Sequence, residues 1–480
     1  MRHFELRHWS AVLMPTLAIT GAVAWLWRCF CLFPAHGWNE IRLAPSFMWA
    51  HGVSPYPSAD SGLATSWIYG PLPLALHLPA TLASDTAGAL LIAGAINLTM
   101  TLLAILATCV WWPTQNELAT HWGRLLAGMA CVMLWPAASL EFLQADNAAI
   151  AIGLLSQLCL QTSETRRAHW LAAAGCAAAI ACKQTLLPLA IAQCLYLTVR
   201  DNVRIGITHG LRILVLTVAV FALAAGIFGL EELEFHLLVL PARLPWIGSF
   251  TGRLAEVWPQ LLAQAGLPLL VLVWLGRRAW HRDSPWLLPA LAWVSAWPLD
   301  LFSLFKNGGS INSLHGALFF LPAAATLLAT RTATTLRWRT GLATLAMAVF
   351  ALRLVNTAPG TWRPLCEHLR QGEFLARRLP GEIYFPWHPL VTFYAERRFD
   401  HIEDGLFIRY LAGQPVTGAA AAAHLPPRFH IVAFLRNEMD WGIARSLIPQ
   451  DAQVSDFGPW TLYSWPLMPP GGPPAPSPHS

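Results

Sequence analysis

Trp38-Asn39-Glu40-Ile41-Arg42, His51-Gly52-Val53-Ser54-Pro55-Tyr56-Pro57 and Trp67-Ile68-Tyr69-Gly70-Pro71-Leu72-Pro73 follow one another within one connection, residues 34–86. The connection lies between two long apolar segments and has no clear apolar span of its own. A stretch of that length inside a compact protein is either functional or disordered, and its aromatic content argues against disorder. Glu40 and Arg42 sit just beyond the first apolar segment, where a charge needs a partner or a task. The connection therefore reads as one wall of a site at a membrane surface.

The rest of the composition agrees. The chain has 480 residues, 55% hydrophobic and 12% charged, with a mean hydropathy of +0.47. A soluble domain carries about 25% charged residues, so this chain lacks the charge to coat a globule of its size. It reads as an α-helical polytopic membrane protein. The net charge of +5 then concerns topology, and no nucleic-acid partner is expected. The cysteines are scattered, mostly inside apolar segments, with no metal-ligand spacing and no disulfide framework.

Segments approaching the roughly 20 residues that cross a bilayer place about eleven spans, at 10–33, 87–112, 125–140, 147–162, 170–184, 186–199, 213–230, 259–276, 286–304, 314–330 and 340–356. The fifth and sixth are short enough to be a broken pair. With the N-terminus inside, Arg2, Arg7, Arg124, Arg166, Arg167, Arg200, Arg204, Arg212, Arg277, Arg278, Arg282, Arg331, Arg337 and Arg339 all fall on the cytoplasmic side, as the positive-inside bias requires. An odd number of spans puts the remainder outside, in the periplasm of a bacterial inner membrane. Three parts are expected: a transmembrane domain over 1–356, a small periplasmic α/β domain over 357–465, and a disordered Pro-rich tail over 466–480. The outer domain reads as a helix near 363–378, a strand at 382–385, a helix from His388, a strand at 430–434 and two strands around Val454 and Tyr463.

The chain contains two lysines, Lys183 and Lys306, both at predicted outer ends of spans. Snorkelling to the headgroups accounts for either one alone. Their position against the arginine bias, and their polar neighbours Gln184-Thr185 and Asn307-Gly308-Gly309, suit a lipid phosphate. Asp146 and Asn147 open the fourth span after Gln144, where a helix N-cap is the plain alternative. Glu40 reads otherwise as a salt-bridge partner for Arg42. His51 and His77 read as packed residues, and Trp67 and Tyr69 as interfacial anchors rather than sugar-stacking rings.

The order of these features resembles the GT-C superfamily of polyprenyl-phosphate-dependent glycosyltransferases. It is similar in particular to bacterial protein-mannosyltransferase-like proteins and polyprenyl-phosphate-mannose-dependent α-mannosyltransferases. The resemblance rests on Glu40, on Gly52-x-x-Pro55-Tyr56, on Tyr69-Gly70-Pro71-Leu72, on Asp146 and on Lys183, over about 35–200; beyond that it is one of layout. Where the family has Asp, this chain has Glu40 preceded by Asn39, and Gly70-Pro71 replaces a double proline. The resemblance implies a GT-C-like membrane fold and transfer of a sugar, with inversion, from a polyprenyl-phosphate carrier to an acceptor hydroxyl outside. Glu40 is then the base and Asp146 a second catalytic acid. Lys183, Lys306, Arg42 and Arg243 bind the donor phosphate, and Asn147, Gln144, Tyr69 and Asn312 bind substrate. A carboxylate can take the acceptor proton, and fixed cations can stabilise a leaving phosphate in a site with little water. No metal ligand is assigned, and a divalent metal stays open. The competing classes are a transporter or lipid-linked-saccharide flippase, and a non-catalytic assembly protein. Inverted repeats and midplane charges would mark a transporter; neither is evident.

Overall fold

A computed structural model describes residues 37–109 except 61 and 66, 142–276, 281, 284–332, 366–436 and 442–466, with isolated positions between 20 and 33. The predicted spans at 125–140 and 340–356, most of the span at 10–33 and the tail from 467 lie outside the described residues. The longer helices are α1 (Gly37–Ala50), α2 (Thr86–Cys109), α3 (Ala145–Thr162), α4 (Arg166–Cys182), α5 (Pro188–Arg200), α6 (Val203–Phe228), α7 (Phe250–Gly276), α8 (Leu287–Leu304), α9 (Leu321–Thr332), α10 (Glu367–Arg378), α11 (Pro389–Glu396) and α12 (Glu403–Leu411). Four described helices are long and apolar enough to cross a membrane: Thr86–Ala104, Val203–Phe228, Phe250–Gly276 and Leu287–Leu304. The protein is a membrane protein.

The chain divides into two compact units, one of Met1–Phe30, Asn97–Leu223 and Trp246–Thr361, the other of Cys31–Ile96, Ala224–Pro245 and Trp362–Ser480. In the first, α3 and α4 pack closely because small side chains line the contact: Ala172, Ala173, Cys176, Ala177 and Ala179 are all buried. A Cβ on Gly175 would lie 2.8 Å from the Ser156 Cβ, and Ser156 Oγ donates to the Ala172 carbonyl at 2.7 Å. Small residues let membrane helices approach in this way. Thr165 starts α4, its hydroxyl accepting from the Ala168 N–H at 3.2 Å. The helix ends at Lys183, whose backbone is extended; a 3-10 turn, Gln184–Leu186, follows. Pro188 then opens α5, a position where its missing N–H costs nothing. The predicted spans at 170–184 and 186–199 are thus a broken pair, with Lys183 at the break.

Past α8 the chain reverses through Gly308, at φ +84°. It passes a 3-10 turn, Ile311–Ser313, and a π-type turn, Gly316–Phe320, leading into α9. Such wide turns gather at functional sites.

The second unit holds a four-stranded sheet in the order β1-β2-β4-β3. Its strands are β1 (Ile383–Tyr384), β2 (Ile431–Leu435), β3 (Gln453–Phe457) and β4 (Trp460–Ser464). The β1–β2 pair is parallel and the other two are antiparallel. The Trp460 side chain is fully buried, its indole N–H donating to the His368 carbonyl at 3.0 Å. The expected strands and helices are matched here, and α12 and two short helices, Gly418–Ala423 and Ile443–Ser446, are additional.

Two expectations change. Residues 34–86 do not form a loop: α1 occupies their first third, and it is buried on almost every side. Nor does this stretch stand apart from the C-terminal region. Ile402 N–H donates to the Ala64 carbonyl at 2.9 Å, Ala64 N–H to His401 Nδ1 at 2.9 Å, Thr86 N–H to Glu373 at 2.9 Å, and Tyr394 OH to the Ala83 carbonyl at 3.1 Å. Phe47 packs edge-on against Phe393 and Tyr394. The connection and the α/β region are one body.

Candidate active site

Each unit carries a buried set of ionisable groups. In the second unit, Glu40 stands in the first turn of α1 and is 1% exposed. His388, immediately before α11, donates its Nδ1–H to Glu40 Oε1 at 2.6 Å. Two turns of ring packing hold this histidine: Trp460 lies 4.9 Å away edge-on, and His368 at 6.2 Å. One residue earlier, Trp387 meets Trp38 edge-on at 5.4 Å. A carboxylate fixed by an imidazole N–H stays aimed in one direction, which a general base requires.

Arg42 stands two positions further along α1. Its guanidinium pairs with Asp404 at 3.3 Å and stacks over the rings of Trp38 and Tyr69, at 5.5 and 5.1 Å. Tyr69 is therefore a platform for Arg42 as well as half-exposed. Trp67 is no interfacial anchor: it is 3% exposed, and its indole N–H donates to Tyr56 OH and the Gly70 carbonyl at 3.1 and 3.2 Å. The reason is Tyr56, whose own hydroxyl donates to the Tyr69 carbonyl at 2.8 Å, so the three aromatics knit the segment together. His51 and His77 bond the Phe47 and Pro73 carbonyls, each at 2.8 Å; His77 is buried and His51 is exposed. Arg243 is exposed at the end of a short turn, Leu240–Arg243.

Nearby in sequence, Asp400 and Glu403 are buried acids. Burial pushes Asp400 up to about 7, although Arg398 stands 3.3 Å from it. Burial likewise pushes Glu403 up to about 7, against the pull of the Ile443 and Ala444 N–H groups that bond it.

In the first unit, four chain segments meet at Asp146. The residue lies in the first turn of α3 but does not cap it; Gln144 holds the N-cap position. Lys183 Nζ donates to Asp146 Oδ1 at 2.6 Å, and His315 Nε2–H bonds the same oxygen. Charged donors outbid backbone N–H groups for a carboxylate, which is why the capping role does not arise. The two donors stand 3.4 Å apart. On the far side of the ring, His315 Nδ1 is 3.6 Å from Asp300 Oδ1, while Asp300 Oδ2 accepts the Gly316 N–H at 2.8 Å. Asp146 and His315 are each 1% exposed, Asp300 3% and Lys183 8%.

The remaining expected residues are accounted for. Asn147 donates to Asn97 Oδ1 at 2.6 Å, and Asn312 donates to Gln144 Oε1 at 3.2 Å, so that pair is brought together. The Lys306 ammonium lies over the Trp246 and Phe302 rings, at 4.6 and 5.4 Å. Among the described residues no group of three His, Cys, Asp or Glu side chains could hold a metal ion. Three residues escaped sequence reasoning: His388, His315 and Asp300. Asp300 alone carried a signal, as an acid inside a predicted span.

No family model matches the chain, and no curated protein sequence matches it significantly. Two solved structures share its fold. ArnT from Cupriavidus metallidurans bound to undecaprenyl phosphate superimposes with a TM-score of 0.58 at 12% identity, over 94% of this chain and 97% of that one. The same protein in the apo state gives 0.57 at 11% identity, with the same coverage. The chain has a GT-C-type fold.

Proposed function

We propose that this protein is an integral membrane glycosyltransferase, transferring a hexosyl or pentosyl group from a polyprenyl-phosphate carrier to an acceptor hydroxyl on the periplasmic face. In this reading the N-terminus is cytoplasmic and the α/β region periplasmic. The observation that carries the reading is the fold shared with ArnT, bound in one structure to undecaprenyl phosphate, over nearly the whole of both chains. Buried carboxylates, each on a histidine, supply chemistry suited to it.

Glu40 is the general base. His388 holds one of its oxygens at 2.6 Å, so the carboxylate is presented without rotational search. It removes the acceptor proton as the hydroxyl attacks the sugar carbon, and the configuration there inverts in one displacement. The departing phosphate keeps its electrons and needs fixed cations. Arg243, being exposed, is open to it. Lys183 meets it by loosening its hold on Asp146. Arg42 and Lys306, engaged by Asp404 and by aromatic rings, are the other two candidate cations.

Glu40→Gln keeps size and hydrogen bonding and removes the basic oxygen. Turnover should fall by about 10²–10⁴-fold, with expression and donor binding near those of the unmodified protein. Asp146→Asn should instead weaken donor binding, through Lys183. If Glu40→Gln turns over normally and Asp146→Asn is dead, Asp146 is the base. Full activity in both rules out the carboxylate mechanism.

A further inference from the structure

The cluster around Asp146 has a charge problem that its geometry makes explicit. Two carboxylates, Asp146 and Asp300, and one lysine, Lys183, stand around His315, and all four side chains are nearly sealed from solvent. Uncompensated charge is costly there. His315 stands between the acids, Nε2–H on Asp146 and Nδ1 3.6 Å from Asp300. As the imidazolium it balances the set to zero; as the neutral ring it leaves one negative charge. The helix α7 also packs on the turn after His315, but its ionisable groups, Arg253 and Glu256, pair with each other in its first turns at 2.8 Å. No further charge from α7 enters the balance.

We propose that this cluster is a proton-coupled seat for the phosphate of a lipid-linked donor, with His315 as the residue that takes up the compensating proton. The inference rests on the reading above that Lys183 meets that phosphate. An anionic phosphodiester arriving beside Lys183 adds a negative charge to a set that already holds two acids. Binding therefore favours the imidazolium: at any pH where the free cluster holds the neutral ring, it draws one proton from solvent onto His315, where Asp146 and Asp300 flank the ring and hold it. Asp300 is held in turn by the Gly316 N–H, so the wide turn Gly316–Phe320 fixes the acid behind the histidine. His315 is a positioning residue: it acts on the donor through Asp146 and Lys183.

The test is the pH dependence of ligand binding by the full-length protein in detergent. The probe is the methyl diester of a short-chain polyprenyl phosphate. A monoester would confuse the result, because its second ionisation falls near about pH 6; the diester carries one charge throughout. Affinity of the unmodified protein should fall as pH rises, approaching about tenfold per pH unit where one proton is coupled. His315→Gln should bind more weakly at low pH and show a flat profile. Asp300→Asn, which removes the second acid and with it the need for the proton, should also flatten the profile while keeping the ring; it serves if His315→Gln fails to fold. A slope of equal size in a folded variant of either kind overturns the proposal. So does a flat profile in the unmodified protein, or no binding of the diester at any pH. In those last two cases sugar transfer from a full donor still stands or falls on its own assay.

Discussion

Glu40 and His388 are 348 positions apart in sequence, and His315 and Asp146 169 apart. That distance explains what could be read in advance at this scale. Glu40, Asp146 and Lys183 stood out because charge beside apolar spans is costly and must be explained. A histidine carries no such signal, since a neutral imidazole packs almost anywhere, so the partners of both acids were invisible until the chain was folded. Trp67 was misread for a related reason: a tryptophan near a membrane segment has a ready explanation in the interface, and only the Tyr56 hydroxyl reveals its buried task. A residue-level consequence concerns pH. Burial holds the Asp400 carboxyl near 7 in the folded protein, against an ordinary value of 3.8. The folded state then binds more protons than the unfolded one between those values, so this residue costs stability as pH rises through the window. Asp400→Asn removes that cost. In thermal unfolding followed from about pH 4 to about pH 9, the variant should gain on the unmodified protein up to about pH 7 and then keep a constant lead; a lead that shrinks with pH would contradict the burial argument.

Elements were legible where one property dominated. The apolar helices α6 and α8 are recognisable by length and hydropathy, and the strands β2, β3 and β4 as short runs set between helical patterns. The break between α4 and α5 could be anticipated from its short flanking spans. Helix α1 was hidden because its buried face includes Asn39, Glu40 and Ser46 as well as Ile41, Leu43 and Phe47, so no apolar run announces it. Its burial depends on partners from the far end of the chain, which local patterning cannot supply. Helix α12 tests that dependence. A Cβ on Gly405 would lie 2.5 Å from the Thr65 carbonyl carbon and 2.8 Å from that of Ala64. By helix propensity alone, Gly405→Ala should stabilise by about 1 kcal/mol. Backbone cannot move aside as a side chain can, and overpacking of this kind costs about 1–3 kcal/mol. The variant should therefore melt at a lower temperature; a higher melting temperature would show that α12 does not rest on residues 64–65 as described.

At the scale of the whole molecule, the order of features along the chain pointed to the architecture shared with ArnT, although identity to it is only 12%. Membrane folds of this kind are specified by where apolar length and charge fall, and many sequences satisfy that. The domain plan was less legible. The stretch 34–86 and the C-terminal α/β region read as separate parts, yet they belong to one unit together with Ala224–Pro245, because hydrogen bonds and buried aromatics join them across hundreds of residues. On the proposed function, this architecture performs glycosyl transfer rather than moving a lipid-linked sugar across the bilayer. The measurement that separates these uses the purified full-length protein in proteoliposomes, a polyprenyl-phosphate sugar labelled in the sugar, and a mixture of hydroxyl acceptors. Transfer predicts that label leaves the lipid and appears on an acceptor while an equal amount of free polyprenyl phosphate is released. Label that stays on its carrier and merely changes leaflet would contradict the account.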